Sequence, residues 1–176
     1  INHIALVCQD MERTVDFYTN VLGMPLIKSL EIPGGGQHFF FDCGSIDSVA
    51  FFWFPDAPPA APGIASAEDM PGRGRLLSAH GSMNHLAFDV PANKFDEYVD
   101  KLKEKGVDVS VVLNHDDSES TIAAELHPGV FVRSVYFKDP DGIVLEFAAW
   151  TKTFGPEDVL HPPARANGER AQPVRT

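Results

Sequence analysis

Two cysteines in 176 residues, Cys8 and Cys43, are too few and too isolated for a disulfide framework. Neither has a basic neighbour in sequence, so each reads as a small core residue rather than a catalytic thiol. No apolar run approaches the ~20 residues that a membrane-crossing helix needs. Basic residues are scarce, with 14 Lys and Arg against 25 Asp and Glu for a formal net charge of −11. Nucleic-acid binding needs clustered cations facing phosphates, and that partner class is excluded. The chain enters a strand at once with Ile1-Asn2-His3. No positive segment precedes an apolar one, so the expected location is intracellular and cytoplasmic. Hydrophobic residues make up 44% of the chain, which excludes wholesale disorder and allows one compact unit with a sizeable core.

What the chain does have is an internal repeat. Asn2-His3-Ile4-Ala5-Leu6-Val7 returns as Asn84-His85-Leu86-Ala87-Phe88-Asp89-Val90. In each case the strand leads into an amphipathic helical stretch that ends at a glycine, Gly23 or Gly106. In the first, Asp10 is placed to cap the helix, Met11, Val15, Tyr18 and Leu22 form its apolar stripe, and Pro25 prevents its continuation. Strands follow over 25–32, 37–43 and 49–54. The second half runs strand 83–90, a helix over about 93–105 capped by Asn93, then strands over about 107–114, 132–138 and 143–151. Residues 55–82, rich in Pro, Ala, Gly and Ser, join the two halves, and a segment this long is usually functional or mobile. Residues 152–176 read as an extended tail whose end is disordered. The expected fold is α+β, with two βαβββ modules (1–54 and 83–151) forming curled mixed sheets around a metal-containing cavity.

The stretch from Glu125 to Glu146 carries the densest chemistry. It sets His127, Tyr136 and Glu146 around an Asp139-Pro140-Asp141-Gly142 turn, a strong hairpin signal between alternating strands. Residues two apart on a strand share a face, so Tyr136 and Glu146 can look into one cavity. Glu146 sits between Leu145 and Phe147 in a strand that otherwise reads as core, and a carboxylate buried there requires a cation or a proton. One histidine in a strand is ordinarily a packing or surface residue. Two at repeat-equivalent positions, with one buried glutamate, are what a 2-His-1-carboxylate metal site requires: His3, His85 and Glu146.

With the paired Asn-His-apolar-Ala motif and Asp-Pro-Asp-Gly-Ile-Val-Leu-Glu146, residues 1–151 resemble the vicinal oxygen chelate superfamily of glyoxalase I, fosfomycin-resistance proteins and extradiol dioxygenases. The resemblance implies His3, His85 and Glu146 as metal ligands. Within that superfamily the C-terminal stretch looks most like the extradiol signature: His127, Val135-Tyr136, Asp139-Pro140-Asp141-Gly142 and Glu146 at compatible spacing. It departs at Glu125, where the family usually has a small, neutral or β-branched residue. The resemblance therefore implies an Fe(II) extradiol-type dioxygenase cleaving a catechol, with Mn(II) or another divalent metal as alternatives. His127 and Tyr136 would orient the catecholate, and His80 is the nearest candidate for the acid–base histidine, though only five residues before His85. The implied partners are a small apolar aromatic substrate, dioxygen and a second copy in a homodimer, with neither nucleic acid nor membrane. Phe39-Phe40-Phe41 and Phe51-Phe52-Trp53-Phe54 suit an aromatic ligand, although packing accounts for at least half of them.

Three rivals remain. A glyoxalase-like isomerase would need a further carboxylate on the strand around Val49–Phe54, which has none. A fosfomycin-type thiol transferase shares the three ligands but should bring a basic anion-binding cluster. A drug-sequestering binding protein would typically lack the triad.

Overall fold

The computed structural model describes residues 1–159 and 161–171. Each Asn-His pair leads into the first strand of a half: β1 (His3–Val7) and β5 (Leu86–Asp89). Helix α1 (Met11–Asp16) begins at Asp10, whose carboxylate accepts from the Arg13 N–H at 3.1 Å, and continues as a π-helical turn, Phe17–Val21. The second helix, α2 (Phe95–Glu104), starts differently from expectation. Asn93 lies inside a 3-10 turn, Ala92–Lys94, that follows Pro91, and no side chain caps α2. Both helical stretches end at a glycine with φ near +80°, Gly23 and Gly106. There the N–H of the next residue reaches back, Met24 to the Tyr18 carbonyl at 2.8 Å and Val107 to the Leu102 carbonyl at 2.9 Å. Only glycine enters that backbone region at little cost, so the stops follow from the residue type.

The first sheet holds β2 (Leu26–Ile32), β3 (Gly36–Asp42) and β4 (Ser48–Trp53) in the order β1-β4-β3-β2. The second holds β6 (Leu113–His115), β7 (Ile122–Ala123), β8 (Val132–Lys138) and β9 (Val144–Trp150) in the order β5-β9-β8-β6-β7. In each the first strand is parallel to its neighbour and the rest are antiparallel, and neither sheet closes into a barrel. The α+β class is as expected, with one more strand in the second half. The strand expected over 107–114 shrinks to Leu113–His115, because Ser110 interrupts the ladder. Its N–H donates to the Tyr136 carbonyl at 2.8 Å, while its hydroxyl accepts from the Tyr136 N–H at 2.9 Å where a backbone carbonyl would serve a regular strand.

One face of each sheet packs on the helices. Tyr18, Phe41, Phe51, Phe95, Val135, Phe137, Leu145 and Phe147 form a core shared by both halves. Burying each large apolar side chain contributes about 1.5–3 kcal/mol. The Asp139–Gly142 turn docks on α1: the Arg13 guanidinium donates to the Pro140 carbonyl at 3.1 Å and the Gln9 N–H to Asp141 Oδ1 at 3.2 Å. Period-two alternation assigns the opposite faces. In the first sheet, register aligns His3, Ala5 and Val7 with Ser48, Ala50 and Phe52, and these with Phe40 and His38. In the second it aligns Ala87 with Glu146, and Glu146 with Tyr136.

Residues 55–82 wind over that second face. Ala67, Met70 and Leu76 pack with Leu113, Tyr136 and Val144, and Asp69 pairs with Lys138 at 2.6 Å. The expected extended tail is instead held by turns, with Lys152 on Asp158 at 2.5 Å and a bridge between Ala164 and Arg170. The disorder expected at its very end concerns 172–176, outside the described residues. Among the described residues no helix is long and apolar enough to cross a membrane.

Candidate metal centre

Glu146 projects from the middle of β9 and is 6% exposed. Its Oε2 lies 2.9 Å from His85 Nε2. The His85 ring stands edge-on to Tyr136, centroids 5.6 Å apart. Tyr136 is directly opposite Glu146 in the β8–β9 register, which is why two residues ten apart in sequence share one spot. Burial pushes the Glu146 carboxyl up, but hydrogen-bond donors around it, His85 foremost and then Ser134 and Tyr136, hold it below the usual carboxylate range. Burial and the charge of Glu146 push the Tyr136 hydroxyl up to about 12, so it is a proton donor at neutral pH.

The imidazole is oriented from behind. His85 Nδ1 is 2.8 Å from Asn84 Oδ1, and the Asn84 amide nitrogen donates to the Leu76 carbonyl at 2.8 Å and the Ser78 hydroxyl at 3.0 Å. A carbonyl only accepts, so the amide nitrogen must face Leu76 and the amide oxygen must face the ring. Nδ1 therefore carries a proton and Nε2 is the nitrogen offered to the pocket. Ligating histidines are held in this way by an acceptor on the far nitrogen.

His3 has the same support, its Nδ1 lying 2.8 Å from Asn2 Oδ1, but it is exposed and stands on the first sheet, edge-on to Phe40 at 5.6 Å. Among the described residues, no three His, Cys, Asp or Glu side chains converge on a common point. One chain thus brings His85 and Glu146 together, while its own His3 stands on the other sheet. His127 is also placed elsewhere. It faces away on an exposed loop, with Nε2 3.1 Å from Asp116 Oδ2 and Nδ1 accepting from the Gly129 N–H at 3.0 Å. The turn at Pro128-Gly129 that suits a signature histidine also directs its ring to Asp116. His80 is exposed in a turn.

Two residues at the site carried no expectation. An asparagine precedes the histidine in both repeats, Asn2 and Asn84, and neither was assigned a role. Ser134 lies two residues before Tyr136 on the same strand face, which is the signal that could have found it. It is fully buried, and its hydroxyl lies by Glu146 and Tyr136 without a well-formed hydrogen bond to either. Nitrogen and carboxylate donors suit Mn(II), Fe(II) or Zn(II), and the pair fits such a metal once a third donor is supplied.

The family model described as Glyoxalase/Bleomycin resistance protein/Dioxygenase superfamily matches residues 1–147. The chain belongs to this superfamily. Among its glyoxalase-superfamily relatives, a metallothiol transferase FosB from Lysinibacillus sphaericus is 25% identical over 151 residues, covering 86% of this chain and 82% of its own. The fosfomycin resistance protein FosX from Listeria monocytogenes, solved with Mn(II) and sulfate, superposes with a TM-score of 0.54 at 19% identity over 86% of this chain and 92% of its own. A glyoxylase/bleomycin resistance protein/dioxygenase domain from Frankia sp. EAN1pec gives a TM-score of 0.61 at 16% identity, over 88% and 93%. At these identities the two structures speak to the fold.

Proposed function

We propose that this glyoxalase-superfamily protein is a divalent-metal enzyme acting without dioxygen on a small substrate with adjacent oxygen atoms, and that His3 of a second copy completes the metal site. The observation that carries the reading is the His85 Nε2–Glu146 Oε2 pair at 2.9 Å, buried and aimed from behind by Asn84. His3 has the same Asn-oriented ring and faces outward, as a ligand given to another chain would. The metal-bearing fosfomycin-resistance relatives support a metal here. Bound in this place, a divalent ion would supply Lewis-acid polarisation of the substrate oxygens. The chain's own residues do the rest. Glu146 contributes negative charge to hold the ion, His85 its Nε2 nitrogen, and Tyr136 a hydroxyl that stays protonated and can donate to a substrate oxygen. Ser134 offers a second hydroxyl beside it.

The test is complementation. H3A and H85A should each fail to bind Mn(II) in calorimetric titration, and mixing them should restore one intact site per hybrid dimer. Binding by H3A alone at wild-type affinity would remove His3 from the set, and mixing without recovery would place the third donor within one chain.

A second reading, Fe(II) extradiol cleavage of a catechol with dioxygen, is favoured by the Tyr136 hydroxyl against Glu146 within the His127-to-Glu146 spacing. It is disfavoured by His127, which is engaged by Asp116, and by His80, which is exposed in a turn. Oxygen uptake by Fe(II)-loaded protein against mono- and bicyclic catechols is expected to be absent. A yellow ring-opened product would restore the dioxygenase.

A further inference from the structure

We infer that Asn84 is a positioning residue that ties the segment between the two halves to the metal-facing histidine, so that segment 67–78 and His85 move as one unit. The inference rests on the proposed metal site and extends it to a part of the chain outside the ligand set.

Asn84 makes four hydrogen bonds in two directions. Its Oδ1 holds His85 Nδ1 at 2.8 Å. Its amide nitrogen donates to the Leu76 carbonyl and the Ser78 hydroxyl at 2.8 and 3.0 Å, and its backbone carbonyl accepts from the Ala67 N–H at 3.1 Å. The repeat supplies an internal control. Asn2 holds His3 with the same 2.8 Å bond, but its backbone carbonyl accepts from Ser48 on β4, within its own sheet. The second Asn-His pair has thus acquired an attachment that the first lacks.

The attached segment is itself a wall of the site. Glu68 N–H bonds to the Leu77 carbonyl at 2.9 Å and Asp69 N–H to the Arg75 carbonyl at 3.1 Å, closing a loop that carries Met70. Met70 and Ala67 pack on Tyr136, the residue opposite Glu146. Two ion pairs fasten the loop to the second half, Asp69 with Lys138 and Arg73 with Asp108. A planar amide cannot rotate to follow a displaced loop without withdrawing its oxygen from the imidazole, so displacement of the loop releases the ring. Coupling of this kind is reciprocal: whatever factor the docked loop adds to metal affinity, the metal adds to docking.

Hydrogen exchange of the full chain across 67–78, with and without saturating Mn(II), reads the tie apart from turnover. In metal-free protein, N84A should speed exchange in this segment about tenfold, the scale set by losing one ordinary hydrogen bond, while N2A leaves it unchanged. N84D, which keeps an acceptor for His85 and loses the amide donor, should do the same and covers the case in which N84A folds poorly. Mn(II) should slow exchange in the wild type. N84A should weaken Mn(II) binding by about 10–100-fold, as loss of an orienting partner does. D69N, which frees the loop at its far side, should weaken it by a smaller factor. Equal exchange in N84A and N2A, or unchanged Mn(II) affinity in D69N, would overturn the coupling. If the wild type takes up no metal, the proposed function falls, and the tie is still decided by N84A against N2A in metal-free protein.

Discussion

Glu146→Ala yields a folded chain that no longer binds divalent metal. The loss should exceed the roughly 100-fold cost of removing a mere orienting partner, because Glu146 is the one buried carboxylate facing His85 and supplies the charge that holds the ion. Folding survives because the core of Phe41, Phe51, Phe137 and Leu145 lies on the other side of the sheets. Glu146→Gln, matched in size, should lose metal as completely while keeping the side-chain volume, which separates charge from packing. The measurement is a metal titration beside circular dichroism on both variants. Wild-type affinity in either would end the ligand assignment.

The second large effect concerns the hairpin turn. Burial, above all, and the charge of Asp141 push the Asp139 carboxyl up from 3.8 to about 6, although N–H groups of Ile143 and Asp141 and the Tyr18 hydroxyl act to lower it. The folded state therefore holds this proton more tightly than the unfolded chain. The stabilisation is fully present below pH ~4 and is lost as pH rises through about 6. At 1.36 kcal/mol per pH unit the change is about 3 kcal/mol. Asp139→Asn keeps an oxygen that can accept from the Ile143 and Asp141 N–H groups, at 2.9 and 3.0 Å in the wild type, and cannot ionise. Urea unfolding at pH 4.5 and 7.5 should show a smaller loss of stability in this variant than in the wild type. Parallel losses in the two proteins would mean that Asp139 is ionised at little cost.

How far the sequence alone carries is clearest at individual residues. Asp10, Gly23 and Gly106 announce helix ends through local chemistry, and they end helices. Tyr136 and Glu146 were legible as a facing pair because a tight turn leaves little freedom of register. The Asn-His repeat located both histidines, since period two fixes which face a strand residue presents. It could not say which faces come together. That depends on how whole sheets are arranged, and His3 and Glu146 stand on different sheets. Spacing along the chain likewise says nothing of the Asp116 side chain that stands against His127. Ser110 broke a strand whose pattern was regular because a hydroxyl can replace a backbone carbonyl in the ladder, a substitution invisible to periodicity. The segment 55–82 lacked any periodicity, so its docking on Tyr136 could be found only in three dimensions.

The outermost strand of the first sheet, β2, has one further consequence. It ends the order β1-β4-β3-β2, and Leu26, Ile27 and Leu30 on it are all exposed. A seven-residue edge with free backbone donors and acceptors is a template on which other chains can polymerise into fibrils. Lys28 and Glu31 stand within that same stretch as gatekeepers, since adding a strand there would bring like charges together or strip them of water. Resistance to such edge-on association thus rests on two side chains far from the His85–Glu146 pair.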